Sequence, residues 1–195
     1  MDEEVKNLKV QTRRKEKVNK NKTEWKWIIQ ITSIAFMISF LFSFTSEMII
    51  PNVNIIVGIL LLIIFILLGV LFDMIGVAVT AADEKPFHSM NSRKVKGADI
   101  AVKFKKNADK VASFCNDVVG DICGVVSGSA GAIIALSLSN ILHMDKFIIT
   151  LLVTSLIAAL TIGGKAIGKS YAMNKSNIIL YQFAKTISYF YKIKK

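Results

Sequence analysis

Residues 55–72 read IIVGILLLIIFILLGVLF, 18 residues without one polar side chain, and Asp73 closes the run. At 1.5 Å per residue a helix of that length reaches about 27 Å, close to the roughly 30 Å of a bilayer's hydrocarbon layer. Val53 and Asn54 on one side and, beyond Asp73, Met74–Ala82 on the other carry no charge, so the helix is expected over about 53–82. That exceeds what a bilayer needs. The helix must tilt, break near Asp73–Gly76, or emerge as an interfacial segment.

Outward from this run, three more apolar blocks lie at about 27–45, 116–142 and 147–168. The chain has 195 residues, 53% of them hydrophobic, and a mean hydropathy of +0.50. A soluble domain would be roughly 45–50% apolar, and here the excess is gathered into the four blocks. The reading is an all-α integral membrane protein of four transmembrane helices with juxtamembrane amphipathic helices. The first block follows too long a polar segment, and lacks the A-x-A site, for a cleaved signal peptide, so it reads as an uncleaved anchor.

The formal charge of +11 is distributed by topology. Of 25 Lys and Arg, 9 precede Trp27, 8 lie between Asp83 and Asp117, and 7 lie from Lys165 onward; only Lys146 falls elsewhere. Positive segments stay in the cytosol, so both termini and the basic loop 83–115 are expected there, beside anionic lipid headgroups. The turns at Ser46–Asn52 and His143–Lys146 then lie outside. The protein reads as multi-pass in a plasma membrane, and its Lys over Arg usage (22 to 3) as bacterial. Charge placed this way argues against nucleic acid as a partner.

Residues 1–26 read as a basic cytoplasmic tail, closed by Trp25 and Trp27 at headgroup level. Within the basic loop, Ala101, Phe104, Ala108, Val111 and Ala112 recur at helical spacing while Lys103, Lys106 and Lys110 fall mostly on other faces. That pattern predicts an amphipathic helix in the interface plane, or a soluble helix packed on a partner domain. The stretch 173–195 interleaves Ile178, Tyr181, Phe183, Tyr189 and Phe190 with lysine, and predicts a second juxtamembrane helix.

The third block is crowded with small residues. Gly120, Gly124 and Gly128 stand at successive i+4 positions, with Ser127 and Gly131 repeating the spacing beside them. Small residues let helix backbones approach closely in lipid, so this face predicts a tight contact and a homodimer seam.

Polar groups at membrane depth need a reason. Asp73 leaves the second helix, Asn116, Asp117 and Asp121 enter the third, and Lys165 leaves the fourth. The topology puts these ends at one level, with Gly76, Gly120, Gly163 and Gly164 able to bend and expose carbonyls. Oxygen ligands of this kind suit a hard cation such as Mg²⁺. Equally, they are headgroup-level polar groups that pair with one another: Lys165 would offset one carboxylate, and an Asp121–Lys165 pair would neutralise the site without metal. Cys115 and Cys123, about 12 Å apart along a helix, are too far apart to bridge. With two His and no ligand spacing, they make no zinc site.

These motifs carry a family resemblance. Phe72-Asp73-Met74-Ile75-Gly76-Val77-Ala78 stands where the cyclin M / CorB–CorC magnesium (and cobalt) transporter family has a pattern like F-S-x-S-E-x-A, and Gly97-Ala98 follows in the loop. Asn107-Ala108, then Cys115-Asn116-Asp117-Val118-Val119-Gly120, match the family's N-P pair and G-N-N-L-V-N. Gly164-Lys165-Ala166-Ile167-Gly168-Lys169-Ser170-Tyr171-Ala172 matches G-E-x-x-P-K-x-x-A. From Phe72 to the C-terminus the chain therefore resembles the transmembrane domain of that family. The resemblance implies a three-helix core, at 53–172 here, preceded by an extra helix at 27–45. It also implies Mg²⁺ as transported ion, with no tightly bound cofactor; the candidate metal residues at the matching positions are Asp73, Asn116, Asp117 and Gly120, with Asp121 beside them as an entry group. Gly76 and Lys165 depart from the family's glutamates, and Lys165 reverses the charge.

Two functions follow as expectations. One is a divalent-cation transporter or exporter of the CorB–CorC type, for Mg²⁺ and Co²⁺. The other is a non-transporting scaffold or regulatory relative, in which Lys165 replaces the cation and a full-length transporter is the partner. Enzyme activity is not expected, because no nucleophile–base set, H-E-x-x-H or phosphate loop is present.

Overall fold

A computed structural model describes residues 25–192. The tail read at 1–26 lies outside them except for Trp25 and Lys26. The described secondary structure is helical throughout: α1 (Trp25–Ile49), a 3₁₀ turn (Ile50–Asn52), α2 (Ile55–Ala81), α3 (Glu84–Ser92), α4 (Ala98–Lys106) and α5 (Ala108–Ser113). A π-helical segment (Phe114–Gly120) then leads into α6 (Asp121–Leu142), followed by α7 (Lys146–Asn174) and α8 (Ser176–Lys192).

Four helical stretches are long and apolar enough to cross a membrane: Trp25–Asn52, Ile55–Ala81, Ala108–Leu142 and Lys146–Asn174. In the first, second and fourth the apolar side chains stay largely uncovered, as with Ile56 at 71% and Phe147 at 75% exposure, while half of the third is buried by its neighbours. In water such surfaces would drive association, whereas lipid solvates them at no cost. This is an all-α membrane fold.

α2, α6 and α7 pack pairwise on one another. The buried face of α2 carries Gly58, Leu62, Ile66, Gly69, Asp73 and Gly76. Their spacing of three and four residues makes one seam along the helix. Where backbones come closest, the seam is glycine. A Cβ on Gly69 would lie 3.1 Å from Cys123 Cβ and 3.4 Å from the Gly120 carbonyl oxygen. A Cβ on Gly168 would lie 2.7 Å from Met74 Cγ, and one on Gly164 3.0 Å from Val70 Cγ2. Gly164 and Gly168 thus form a small-xxx-small pair that seats α7 on α2. At the other end Asn54 and Asp145 cap α2 and α7: Asn54 Oδ1 accepts from Ile56 N at 3.2 Å and Asp145 Oδ1 from Phe147 N at 2.7 Å. α1 meets α2 through Phe42, whose ring stands edge-on to Phe65 with centroids 5.9 Å apart.

α2 runs unbroken through Asp73–Gly76, and its last turns enter a second core at the basic end of the bundle. Val79 and Ala82 are buried there with Phe87, Ile100, Ala101, Val102, Leu180 and Ala184. The apolar faces expected to lie on lipid are instead turned toward each other. Ala101 is fully buried, Phe104 lies 5.6 Å from Phe183 between ring centroids, and Val111 and Ile187 pack at the edge. The single helix expected over 101–112 is two, divided at Asn107. Mutual burial wins because α8 supplies an equally amphipathic face within the same chain, so the partner surface is internal.

Lys105 ties this cap to the bundle. Its Nζ donates to the Thr80 carbonyl at 2.8 Å and the Val79 carbonyl at 3.3 Å, closing free acceptors at the C-terminal end of α2. A cation in that position also meets the negative end of the helix dipole. Lys105→Met is expected to lower stability by about 1 kcal/mol, while Lys103→Met, at an exposed position, leaves thermal unfolding nearly unchanged.

Candidate functional site

The seam that packs α2 against α6 and α7 also places their polar residues. Asp73 falls on the buried face of α2 because it follows Gly69 by four residues, and it is only 2% exposed. A carboxylate buried there must be compensated. α7 supplies the compensation from Lys165 and Lys169, one helical turn apart. Lys169 Nζ lies 3.2 Å from Asp73 Oδ2, and Lys165 Nζ lies 4.0 Å from Asp73 Oδ1. The Lys169 contact lacks hydrogen-bond alignment, so Oδ2 accepts no hydrogen despite the charge pairing.

Lys165 also donates to Asp121 Oδ1 at 3.2 Å. Its side chain is 20% exposed, against 68% for Asp121. The Asp121 contact is therefore a solvated pair of small worth, and the buried side of the cluster carries the energy. Two carboxylates and two ammonium groups sum to zero charge.

The π-helical segment forms the other wall. Gly120, at its end, brings backbone against the carboxylate: a Cβ there would lie 3.4 Å from Asp73 Oδ1 and 3.3 Å from the Cys115 carbonyl oxygen. One turn along α2, the carboxamide of Asn116 rests on Gly76. A Cβ at Gly76 would lie 2.6 Å from Asn116 Cγ and 2.9 Å from Nδ2, so no other residue type fits beneath it unless Asn116 moves. Asn116 Oδ1 is buried and accepts no hydrogen bond.

Of the residues expected at an ion site, Asp73, Gly120, Asp121 and Lys165 come together, and Asn116 sits over Gly76 beside them. Asp117 lies on the exposed side of the segment. Among the described residues no three His, Cys, Asp or Glu side chains gather as metal ligands. Lys169 belongs to the site as well, and its position four residues after Lys165 is the sequence signal for it. The small-residue face divides as well. Gly120, Ser127 and Gly131 are turned inward, with Gly131 against Ile157, whereas a Cβ on Gly124 or Gly128 would meet nothing within 4 Å.

Comparison of the chain with family models, curated proteins and solved structures gives no match, so the reading of this site rests on its own geometry.

Proposed function

We propose that this protein is a non-transporting membrane scaffold or regulatory module, built on a core like that of the CorB–CorC family, in which lysine stands where a transported cation would. The observation that carries the reading is the pairing of buried Asp73 with both Lys165 and Lys169. The ammonium groups already neutralise the carboxylates, so a divalent ion would have to displace at least one of them. The basic distribution supports a plasma-membrane topology with the α3–α5 and α8 cap in the cytosol against anionic lipid. A full-length transporter is the partner this reading names, and the open Gly124 and Gly128 are where a second copy would approach.

Purified protein in liposomes is expected to show no Mg²⁺ flux above empty vesicles and no shift of melting temperature with Mg²⁺. Flux that disappears on Asp73→Ala would overturn the reading.

Divalent-cation transport, of Mg²⁺ or Co²⁺, is the second reading, and one observation favours it. Asn116 Oδ1 and Asp73 Oδ2 are buried acceptors without a hydrogen-bond donor, the kind of oxygen a hard cation takes. This reading requires both lysines to swing away before the ion enters.

A further inference from the structure

We infer that the π-helical segment Phe114–Gly120 is a register switch, able to pass to an α-helical register and in doing so to turn Asn116 and Cys115 away from α2. The inference holds whether or not an ion crosses the membrane. A π-helical turn holds one residue more than an α-helical one, and such turns are rare, short and concentrated at working sites. Seven consecutive residues in this register therefore need something to hold them.

The holding contacts are specific. Gly120 lies against Asp73 Oδ1, and the Asn116 carboxamide lies on Gly76. The second contact is incomplete, because Asn116 Oδ1 is buried without a donor. Passing to the α register takes one residue out of the turn and rotates the chain before it by about 100° relative to α6. Asn116 would leave Gly76, and its oxygen would gain access to water. Asp73 and the two lysines of α7 lie outside the rotating segment, so they form the fixed side of the switch. The piece that moves is α5 with the first residues of the π segment.

The native cysteines report on this directly. Cys115 lies within the segment and is 1% exposed; Cys123 lies beyond it in α6 and is 5% exposed. A register change exposes the first and leaves the second in place. N-Ethylmaleimide labelling of the full chain in nanodiscs, followed for each cysteine by peptide mass spectrometry, gives the ratio of the two rates. Gly76→Ala puts a Cβ where the Asn116 carboxamide now sits, and deletion of Val119 removes the extra residue. Each is expected to raise the Cys115 to Cys123 ratio at least tenfold over wild type. Hydrogen exchange on the wild type needs no variant: amides 116–120 are expected to exchange at least tenfold faster than amides 126–134 through local opening. A ratio within twofold of wild type in every folded variant overturns the inference. So does a parallel rise at both cysteines, or wild-type protection in the segment equal to that of α6.

Discussion

Lys165→Glu is expected to destabilise the protein by about 3–5 kcal/mol in the presence of a chelator, and to recover most of that loss when Mg²⁺ is added. The wild-type cluster of Asp73, Asp121, Lys165 and Lys169 is neutral; the variant would hold three carboxylates against one ammonium. Asp73 is the residue that suffers, because its side chain is 3% exposed and has only Lys169 left as counter-ion. A carboxylate at position 165, set beside the buried Asp73, would repel it at reduced dielectric, with the solvated Asp121 adding little, and a divalent cation is the simplest remedy. Three carboxylates would also meet the ligand chemistry that Mg²⁺ prefers. Thermal unfolding in detergent, with and without Mg²⁺, separates the possibilities. If wild type and variant respond to Mg²⁺ alike, Lys165 is not acting as a built-in cation. Lys165→Gln gives the reference, removing the ammonium without adding a carboxylate, and should show loss of stability with little rescue.

The bundle was legible because its signals are one-dimensional. A run such as Ile55–Phe72 has one solvent that suits it, and the lysine clusters mark the ends of the spans. The level of Asp73, Asp121 and Lys165 followed from helix count alone. What the sequence did not disclose depends on rotation about helix axes. Asp73 faces inward because glycines at 69 and 76 choose that face of α2, and Lys169 joins the site because Gly164 and Gly168 choose the matching face of α7. The glycine spacing of α6 was visible, but not which of its glycines face α2. Gly120 lies against Asp73, while among the described residues a Cβ on Gly124 or Gly128 would meet nothing within 4 Å. The cap's helices were legible as amphipathic, but what covers them was not, for a related reason. An amphipathic face has the same pattern whether it meets lipid or another helix, and only the fold shows that 98–112 and 176–192 satisfy each other.

Gly97 is where that mutual burial is most exposed to a single change, and Gly97→Ala is expected to lower stability by about 2–6 kcal/mol. Two independent effects contribute. Gly97 has φ +86°, the left-handed region, where a residue with a Cβ costs about 1–3 kcal/mol. A Cβ there would also lie 2.8 Å from Lys185 Cα and 3.1 Å from Lys185 N, backbone atoms of α8 that cannot turn aside as a side chain would. Forcing α8 outward uncovers Ala98 and Ala184, both fully buried. It also breaks the seat of Lys96, whose Nζ lies 3.2 Å from the centre of the Tyr189 ring and whose carbonyl accepts from Tyr181 at 3.4 Å. Undocking of α8 should appear as faster tryptic cleavage after Lys175 and Lys185, with the membrane bundle intact. Gly124→Ala is the matched comparison, made in a right-handed helix with open space around the new methyl group. In the monomer the same substitution should gain up to about 1 kcal/mol through helix propensity, whereas a second copy seated on Gly124 would turn that gain into a loss. Equal losses at both positions would mean that Gly124 is covered by another helix, as in a dimer of this chain. A neutral Gly97→Ala would mean that α8 does not rest on the loop before α4.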